Sequence, residues 1–302
     1  MRNVAVIGAG VMGRRIAYGC IIKGLQTRIF DISNEASAAA LDVINGYIEE
    51  RESDGRLPRG TLEANFASLS AAGTLRECVA GADLIIETVN ENPKVKMSVY
   101  RDLAEVADSA SYIGSNTSSI KGSDLLSAVD RPDKFFCLNF GPLDDKKVEV
   151  MGHPGTSQET LLLAMNFVKE MGLVPIQVHK EINGYVSNRI WRAVKKEALS
   201  LIDKGHATAW DIDRGWMLEW ETSMGPCGLM DVVGLDTVRD VEMSYYHQTG
   251  DKSDIPPAFL DEMITAGKLG CKSGQGFYSY PDPDFEHPDW LTAKWPDSTT
   301  PN

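Results

Sequence analysis

Three glycines near the start of the chain have the spacing of a phosphate-binding turn. Gly8, Gly10 and Gly13 stand in GAGVMG, which follows an apolar run and opens a helix-like segment. Glycine allows a tight turn and a close approach of backbone to pyrophosphate, and the N–H groups at a helix N-terminus attract an anion. Glycine-rich turns also occur for packing alone. In this position the motif predicts a dinucleotide site that includes Val11 and Met12.

A carboxylate downstream indicates which dinucleotide would bind. Asp31 follows the short apolar run TRIF, at the distance of about 20 residues that is usual for the ribose-binding acid. A carboxylate there can hydrogen-bond both ribose hydroxyls and would repel a 2′-phosphate. No arginine follows it in ISNEAS. The sequence therefore predicts NAD rather than NADP as the cofactor.

Two further polar residues stand where a ligand is expected in a parallel sheet. Ser118 follows the predicted strand 111–115, and ligands bind at the carboxyl edge of such sheets. A plain turn or cap is the alternative for Ser118. Glu149 stands between two valines in the predicted strand 146–151, where a charge is unusual unless it has a role. An exposed edge strand is the alternative for Glu149.

These residues need a scaffold, and the alternation of apolar runs with helix-like segments predicts one. Strands are expected at 3–8, 27–30, 82–89, 111–115, 134–140, 146–151 and 174–178. This pattern is typical of an α/β domain with an open, mainly parallel sheet covered on both faces. After residue 184 the apolar spacing becomes helical, with helices expected over 185–205 and near 208–220, 229–248 and 257–268. The predicted fold class is a Rossmann-like α/β domain followed by an all-α C-terminal domain.

The length of 302 residues suits two domains. We predict an NAD-binding Rossmann-like domain over residues 1–182 and a helical domain for substrate binding and dimerisation over residues 183–302. The second domain ends in a proline-rich segment from about residue 281, which is expected to pack through Trp290 and Trp295.

Charge and cysteine content exclude several partners. The net charge of −13 makes nucleic acid and anionic membrane surfaces poor partners. No apolar run approaches the roughly 20 residues of a membrane span. The five cysteines lack metal-like spacing and predict reduced thiols and no metal site. Because the N-terminus runs directly into a strand, no signal peptide is expected, and the predicted location is cytoplasmic.

Several segments in succession resemble one family, the NAD-dependent 3-hydroxyacyl-CoA dehydrogenases and their hydroxy-acid relatives, such as the gulonate and carnitine dehydrogenases and lambda-crystallin. Besides GAGVMG with Asp31, the similar segments are ENPKVK (91–96), SNTSSI (115–120), RPDKF (131–135), KVEVM (147–151), GYVSNRI (184–190), MGPCGLMDVVGLDTV (224–238) and KLGCKSGQGFYSY (268–280). They cover nearly the whole chain except the proline-rich tail. The resemblance implies a homodimer and a small-molecule substrate.

The resemblance also implies roles for individual residues. Glu91 and Lys96 would lie along the cofactor, with Lys272 as a further candidate. Ser118 would hydrogen-bond the substrate oxygen, and Asn188 would complete the polar wall of the site. Glu149 would orient and charge the catalytic histidine of the family. In this chain Asn139 stands at the position of that histidine, because the family's His-Phe-Phe-Asn-Pro is replaced by NFGP at 139–142.

An amide cannot act as the base that takes the hydroxyl proton. Glu149 could replace the histidine as the base, either directly or through a water molecule. Lys146 or Lys147 could also act as the base if it were desolvated, and the alternative is that the two lysines are a solvated pair. None of the five histidines lies in a site motif of the family, so none is expected to replace the catalytic histidine. His153 is expected in a loop, and His206 and His287 are expected at the surface.

A second departure concerns coenzyme A. Counted from Asp31, the two positions that contact the coenzyme in the family are Tyr47 and Asp54, in an acidic local sequence, although Arg51, Arg56 and Arg59 are nearby. A free hydroxy acid is therefore favoured over an acyl-CoA. Three readings stay open: an NAD-dependent dehydrogenase acting on a CH–OH group, an enzyme that uses NAD in redox-neutral chemistry, and a catalytically retired NAD-binding protein.

Overall fold

The computed structural model describes residues 2–292, apart from the side chains of Phe66 and Gln248. It consists of two compact units, Met1–Ser187 and Asn188–Asn302. Each unit has a separate hydrophobic core among its described residues.

The first unit is built on a sheet that has eight strands within residues 2–292 and the order β3-β2-β1-β4-β5-β6-β7-β8. The strands are β1 (Asn3–Ile7), β2 (Gln26–Phe30), β3 (Leu69–Ala71), β4 (Leu84–Glu87), β5 (Tyr112–Asn116), β6 (Phe135–Phe140), β7 (Lys147–Met151) and β8 (Val174–Val178). Neighbouring strands run parallel except for the antiparallel pair β6 and β7. The seven predicted strands and the mainly parallel sheet are confirmed.

Helices connect the strands of the first unit and form most of the second. They are α1 (Val11–Ile21), α2 (Asn34–Ser53), α3 (Thr61–Asn65), α4 (Leu75–Val79), α5 (Pro93–Val106), α6 (Gln158–Glu170), α7 (Ser187–Asp203), α8 (Ala209–Trp220), α9 (Pro226–Val233), α10 (Leu235–Thr249) and α11 (Ala258–Thr265). Short 3-10 turns occur at Phe66–Ser68, Gly122–Asp124, Leu126–Ala128, Pro132–Lys134, Lys252–Asp254, Cys271–Ser273 and Asp284–Glu286.

Both faces of the sheet are buried, as the apolar runs predict. Along β1, Val4 and Val6 belong to one apolar cluster, whereas Ala5 and Ile7 belong to another. Alternate side chains of a strand point to opposite faces, so the two clusters lie on opposite sides of the sheet. Helices α1 and α6 contribute to the first cluster and α4 and α5 to the second. This packing fixes the carboxyl ends of β1, β2, β4 and β5 along one edge.

Two predictions from the sequence needed correction. The strand β3 was missed because three residues, LSA, are too short to show an alternation. The helix expected near 229–248 is two helices, α9 and α10, because Gly234 between them has a φ of +96°. That left-handed conformation is open to glycine and ends a right-handed helix.

The aromatic residues of the tail pack as expected up to residue 292. Trp290 is buried in the core of the second unit, and its ring centroid lies 6.1 Å from that of Trp210. Phe285 is buried in the same core and packs edge-on against Tyr278. The predicted packing of Trp295 falls outside the described residues.

None of the described helices combines the length and the apolar character that crossing a bilayer requires.

Candidate active site

The glycine turn after β1 is held by close backbone packing. Gly8 has a φ of +106°, and the hydroxyl of Thr88, just after β4, donates to the carbonyl oxygens of Ile7 at 2.9 Å and Gly8 at 3.0 Å. A Cβ on Gly13 would lie 1.8 Å from the carbonyl oxygen of Gly8, so only glycine lets α1 pack this closely on the turn. A Cβ on Gly10 would meet no described atom within 4 Å. The surface at Gly10 is therefore open to a ligand.

The N-terminus of α1 follows directly. Gly10 is its N-cap, and no side chain of the described residues caps this end. The first-turn N–H groups of Val11 and Met12 therefore have no intrahelical partner, as at any helix N-terminus. Such groups bind phosphate oxygens. The turn and this helix end fit the pyrophosphate of a dinucleotide.

Asp31 lies beside the glycine turn because β1 and β2 pair in parallel with Ile7 opposite Phe30. Its carboxylate accepts hydrogen bonds from the backbone N–H of Ala9 at 2.8 Å and of Ser33 at 3.2 Å. One residue further, Ile32 is 97% exposed. The carboxylate that sequence analysis assigned to the ribose is thus fixed one residue beyond the end of β2.

The carboxylate of Glu91 organises the loop that carries Ser118. Its Oε1 accepts from the Thr117 hydroxyl at 2.6 Å and from the backbone N–H of Ser118 at 2.8 Å and Ser119 at 3.0 Å. The Ser118 hydroxyl lies 3.4 Å from the same oxygen. Burial opposes ionisation of Glu91, but the hydrogen bond from Thr117 and the charge of Lys96 outweigh it and hold its pKa below the usual value.

Lys96 is buried in the first unit, and its expected place along the cofactor stays a prediction. Its ammonium group has no exposed surface and contacts Glu87 at 2.8 Å and Glu91 at 3.4 Å. Glu87 also accepts from the hydroxyls of Tyr100 and Ser115, the latter at 2.8 Å. Lys96 therefore lies beneath the loop of Ser118 and joins two carboxylates. Burial and the adjacent Glu87 raise the pKa of Tyr100 well above its usual range.

Sequence analysis did not single out Glu87. The available signal was the one used for Glu149, a charge inside an apolar strand, here LIIE at 84–87. Glu87 is fully buried, and with Lys96, Tyr100 and Ser115 it forms a group that we name the β4–β5 polar cluster.

Asn139 and Glu149 face each other across the antiparallel pair β6 and β7. The Asn139 amide nitrogen donates to Glu149 Oε2 at 3.0 Å. Glu149 has no exposed surface, and its other oxygen accepts from the backbone N–H groups of Val186 and Ser187, each at 2.9 Å. Because a carboxylate offers only acceptors, the amide turns its NH₂ group toward it. The carbonyl oxygen of Asn139 is left as the group that can meet a ligand.

Tyr185 sets the backbone that holds Glu149. It has a φ of +53°, which is uncommon for a non-glycine residue, and it is fully buried. Burial raises the pKa of its hydroxyl well above the usual range, and the neighbouring Cys137 thiol contributes. The left-handed turn at Tyr185 directs the following two N–H groups toward Glu149. Sequence analysis missed this residue, since a backbone angle leaves no sequence signal at a tyrosine.

The remaining candidates are placed as follows. Asn188 is the second residue of α7 and the first of the second unit, directly after Ser187. Lys272 pairs with Asp236 at 2.6 Å and thereby holds the pKa of that carboxyl below its usual range. Its role toward the cofactor stays a prediction, as does that of Asn188.

The alternative bases also have definite surroundings. His153 is buried and hydrogen-bonds the Pro132 carbonyl oxygen at 2.8 Å, whereas His206 and His287 are exposed. Lys146 is exposed, and Lys147 lies 3.5 Å from Asp145. These lysines agree with a solvated pair rather than a desolvated base. Within the described part of the chain, no group of three or more His, Cys, Asp or Glu residues could hold a metal ion.

The first unit thus defines an oxidoreductase of the NAD-dependent class: a Rossmann-like sheet, a glycine turn that fits a pyrophosphate, an acid at the ribose position and polar side chains at the carboxyl edge. Two family models match the chain. The 3-hydroxyacyl-CoA dehydrogenase NAD-binding domain matches residues 3–182, and the 3-hydroxyacyl-CoA dehydrogenase C-terminal domain matches residues 184–280. The chain belongs to the 3-hydroxyacyl-CoA dehydrogenase family, and its cofactor is NAD.

Individual relatives cover nearly the whole chain. A probable 3-hydroxybutyryl-CoA dehydrogenase of Bacillus subtilis is 30% identical over 282 residues, which are 93% of this chain and 98% of the relative. A 5-formyl-3-hydroxy-2-methylpyridine 4-carboxylate 5-dehydrogenase of Mesorhizobium japonicum is 28% identical over 285 residues, 93% of this chain and 91% of the relative.

Among solved structures, the (S)-3-hydroxybutyryl-CoA dehydrogenase of Ralstonia eutropha has a TM-score of 0.86 at 30% identity and covers 93% of this chain and 100% of its own. A 5-formyl-3-hydroxy-2-methylpyridine 4-carboxylic acid 5-dehydrogenase, described as an NAD⁺-dependent dismutase, has a TM-score of 0.71 at 27% identity and covers 97% of this chain and 93% of its own.

Proposed function

We propose that this protein interconverts a CH–OH group and a carbonyl beta to the carboxylate of a free organic acid, with NAD as cofactor. The observation that supports the proposal is the hydrogen bond of 3.0 Å between Asn139 and the buried carboxylate of Glu149. We assign Asn139 to the position of the family's histidine, so that a neutral amide stands in place of a titratable group beside the carboxylate.

In this proposal Asn139 holds the substrate oxygen but does not exchange protons with it. The amide donates to Glu149, so its carbonyl oxygen is free to accept a hydrogen bond from a substrate hydroxyl. Glu149 is the proposed acid/base. A carboxylate has about four acceptor positions, and three N–H groups occupy three of them here. The remaining position can bind the water through which a proton passes.

Other residues position the two reactants. The Ser118 hydroxyl and the Asn188 amide are the proposed hydrogen-bonding groups for the substrate oxygen. Gly8, Gly10 and Gly13, with the first N–H groups of α1, are the proposed contacts for the pyrophosphate, and Asp31 for the ribose. Bound NAD would supply the acceptor for the hydride. Glu91 and Lys96 would act by fixing the Ser118 loop from below.

A free acid is favoured over a CoA thioester because the helix after β2 offers a nucleotide little free positive charge. Asp54 stands where the family has a lysine and lies 2.6 Å from Arg56. Arg51 is ion-paired with Asp144 at 2.7 Å. Tyr47, at the other coenzyme position, packs edge-on against Tyr18 at 6.0 Å. The relative from Mesorhizobium japonicum is named for a pyridine carboxylate substrate, which supports a free acid in this family.

The test is a comparison of substrate classes. Purified protein with NAD is incubated with 3-hydroxybutyrate, carnitine or 3-hydroxybutyryl-CoA, and NADH absorbance is recorded while mass spectrometry follows loss of substrate. We expect NADH from a free acid and little from the thioester. A Glu149→Gln variant should lose this activity, and Glu105→Gln, at an exposed position on α5, should keep it. Preferential oxidation of the thioester would contradict the proposal.

A second candidate function is redox-neutral chemistry, in which NAD is reduced and reoxidised within one turnover. The amide at position 139 favours this function because its NH₂ group can donate a hydrogen bond to an oxyanion. To do so, the NH₂ group must release Glu149 and turn toward the substrate. The structure described as an NAD⁺-dependent dismutase supports such chemistry in a relative. Loss of substrate without net NADH in the same assay would identify this function.

We also propose a homodimer that forms through the second unit. Ile190, Leu218 and Trp220 expose 62%, 58% and 63% of their surfaces, and these are apolar side chains that a partner subunit would cover. Light scattering after gel filtration should give the dimer mass for the native chain and a lower mass for Leu218→Glu. A cytoplasmic location is proposed because all five cysteines are free thiols.

A further inference from the structure

A cavity of about 230 Å³ lies in the first unit, between α1 and the loop that joins β6 to β7. Its apolar lining includes Met12, Ile16, Phe140, Met171 and Leu173. Phe140 belongs to the apolar cluster of Val4 and Val6, whereas Cys137 belongs to the cluster on the opposite face of the sheet. Asn139 is two residues after Cys137 and therefore points to the same face as Cys137. Adjacent residues of a strand point to opposite faces, so the cavity lies across the sheet from the Asn139–Glu149 pair.

The charged lining of the cavity is positive. Four cationic side chains and two anionic ones line it: Arg15, Arg51, Lys146, Lys147, Asp144 and Asp145. The two aspartates are each paired, Asp144 with Arg51 at 2.7 Å and Asp145 with Lys147 at 3.5 Å. An excess of two positive charges at one cavity is notable because the whole chain carries −13. The local charge therefore favours an anion.

The two remaining cations, Arg15 and Lys146, have no ion pair among the described residues. The Nε atom of Arg15 is buried and has no hydrogen-bond partner among the described residues, and its Nη1 atom contacts the Met12 sulfur at 3.8 Å, a weak acceptor. Lys146 has no ion pair within residues 2–292 and is exposed. A buried donor without an acceptor is unfavourable, and an anionic oxygen is the group that would satisfy a guanidinium best.

We propose that this cavity is a second ligand site, which binds a small organic carboxylate separately from the active site. The carboxylate would lie against Arg15 and Lys146, and its apolar part against Phe140, Met171 and Leu173. Cavities for drug-sized ligands measure about 300 to 1,000 Å³, so the volume of this one suits a smaller acid.

Hexanoate is a suitable probe, with hexanol as its uncharged counterpart and inorganic phosphate as an anion without an apolar part. Binding is measured by saturation-transfer NMR and calorimetry on the full chain, with and without saturating NAD. We expect hexanoate to bind in both conditions and to bind at least about tenfold more weakly to Arg15→Met, because a charge-assisted hydrogen bond is lost. Arg76→Met, an exposed arginine on α4, is the matched control and should bind normally.

Other results would overturn the proposal. Equal binding of hexanol would show that charge is not recognised, and binding of phosphate without hexanoate would show that the apolar wall is not used. Displacement of hexanoate by NAD would assign the cavity to the cofactor. If Arg15→Met does not fold, the exposed Lys146→Met serves in its place, and unchanged binding to that variant would again contradict the site. None of these measurements depends on turnover, so their failure leaves the proposed function untouched.

Discussion

Glu87 in the first unit and Asp231 in the second are both buried carboxylates, and the two units satisfy them by different means. Glu87 binds the ammonium group of Lys96 at 2.8 Å, and Lys96 reaches on to Glu91, which is partly exposed and holds the Ser118 loop. Asp231 accepts from the backbone N–H groups of Phe277 and Tyr278, each at 2.9 Å. The contacts of Glu87 therefore extend through Lys96 and Glu91 to an exposed loop, whereas the backbone contacts of Asp231 stay inside the second unit.

Asp213 repeats the arrangement of Asp231, with backbone N–H groups of Cys227 at 2.7 Å and Gly228 at 2.8 Å. No lysine or arginine pairs with either aspartate among the described residues. Burial raises the pKa of both aspartates. A buried carboxylate is therefore not in itself a sign of a functional site. The β4–β5 polar cluster differs because its connections lead to a loop at the carboxyl edge of the sheet.

The largest effect is expected from Lys96→Met. Removing one partner of a buried ion pair leaves the other charge uncompensated and costs about 3 to 5 kcal/mol. We expect a loss of this size in the free energy of unfolding, measured by urea denaturation, together with weaker NAD binding as the Ser118 loop loosens.

The double variant Glu87→Gln with Lys96→Met is the control for that experiment, because it removes both charges. It should recover a large part of the lost stability. Equal destabilisation by the single and double variants would show that Lys96 acts by packing alone and that the cluster does not differ from the second unit's aspartates.

Next in size is the effect of substitutions in the glycine turn on NAD affinity. Gly13→Ala puts a methyl group 1.8 Å from the Gly8 carbonyl oxygen and must move α1, so the Kd for NAD should rise at least about a hundredfold, or about 3 kcal/mol. Gly10→Ala meets no described atom within 4 Å and should weaken NAD binding without lowering the melting temperature. Calorimetry and thermal melts of both variants would check this. An unchanged melting temperature for Gly13→Ala would contradict the packing argument.

The smallest effects, about 1 to 2 kcal/mol, concern the pH dependence of stability in the second unit. Burial raises the native pKa of Asp213 above its unfolded value, so its stabilising contribution is full below that unfolded value and declines as pH rises through the native pKa. Asp254 is the opposite case. Burial raises its pKa, but hydrogen bonds from Lys196 and Arg192 outweigh this and lower it to about 2. Its contribution is present above the unfolded pKa and is lost as pH falls toward 2.

Unfolding curves at several pH values separate the two aspartates. Asp213→Asn should destabilise the protein most in acid and progressively less toward neutral pH, whereas Asp254→Asn should destabilise it at neutral pH and progressively less as pH falls toward 2. Parallel profiles for the two variants would show that the hydrogen bonds described for Asp213 and Asp254 do not govern their ionisation.

Prediction from the sequence succeeded for the elements in which apolar residues recur at a regular spacing. The seven predicted strands were found because each buries alternating or continuous apolar residues, and Glu149 stood out because VEV breaks that pattern. It missed β3, whose three residues carry no period, and the end of α9, which depends on the φ of Gly234. It also missed the contact of Lys96 with Glu87, since that partner is brought to the lysine by the fold.

The site residues themselves were predicted from type and order, and their geometry was not. The hydrogen bond between Asn139 and Glu149 depends on the antiparallel register of β6 and β7, which is set by the length of the loop between them. The two N–H groups that hold Glu149 depend on the left-handed turn at Tyr185. Neither can be read from residue types, because each is a consequence of where the backbone turns.

The most direct test of the central claim is the pH dependence of NADH formation by the native chain and by Asn139→His on the free acids described above. Glu149, 3.0 Å from the present amide, should hold an imidazole as a base. We expect the variant to gain activity, by about a hundredfold or more, and its rate to rise through the ordinary imidazole pKa near 6.5, while the native chain shows no such rise. An Asn139→His variant that folds, binds NAD and oxidises the same acid no faster than the native chain would contradict the claim that the side chain at position 139 contacts the reacting hydroxyl.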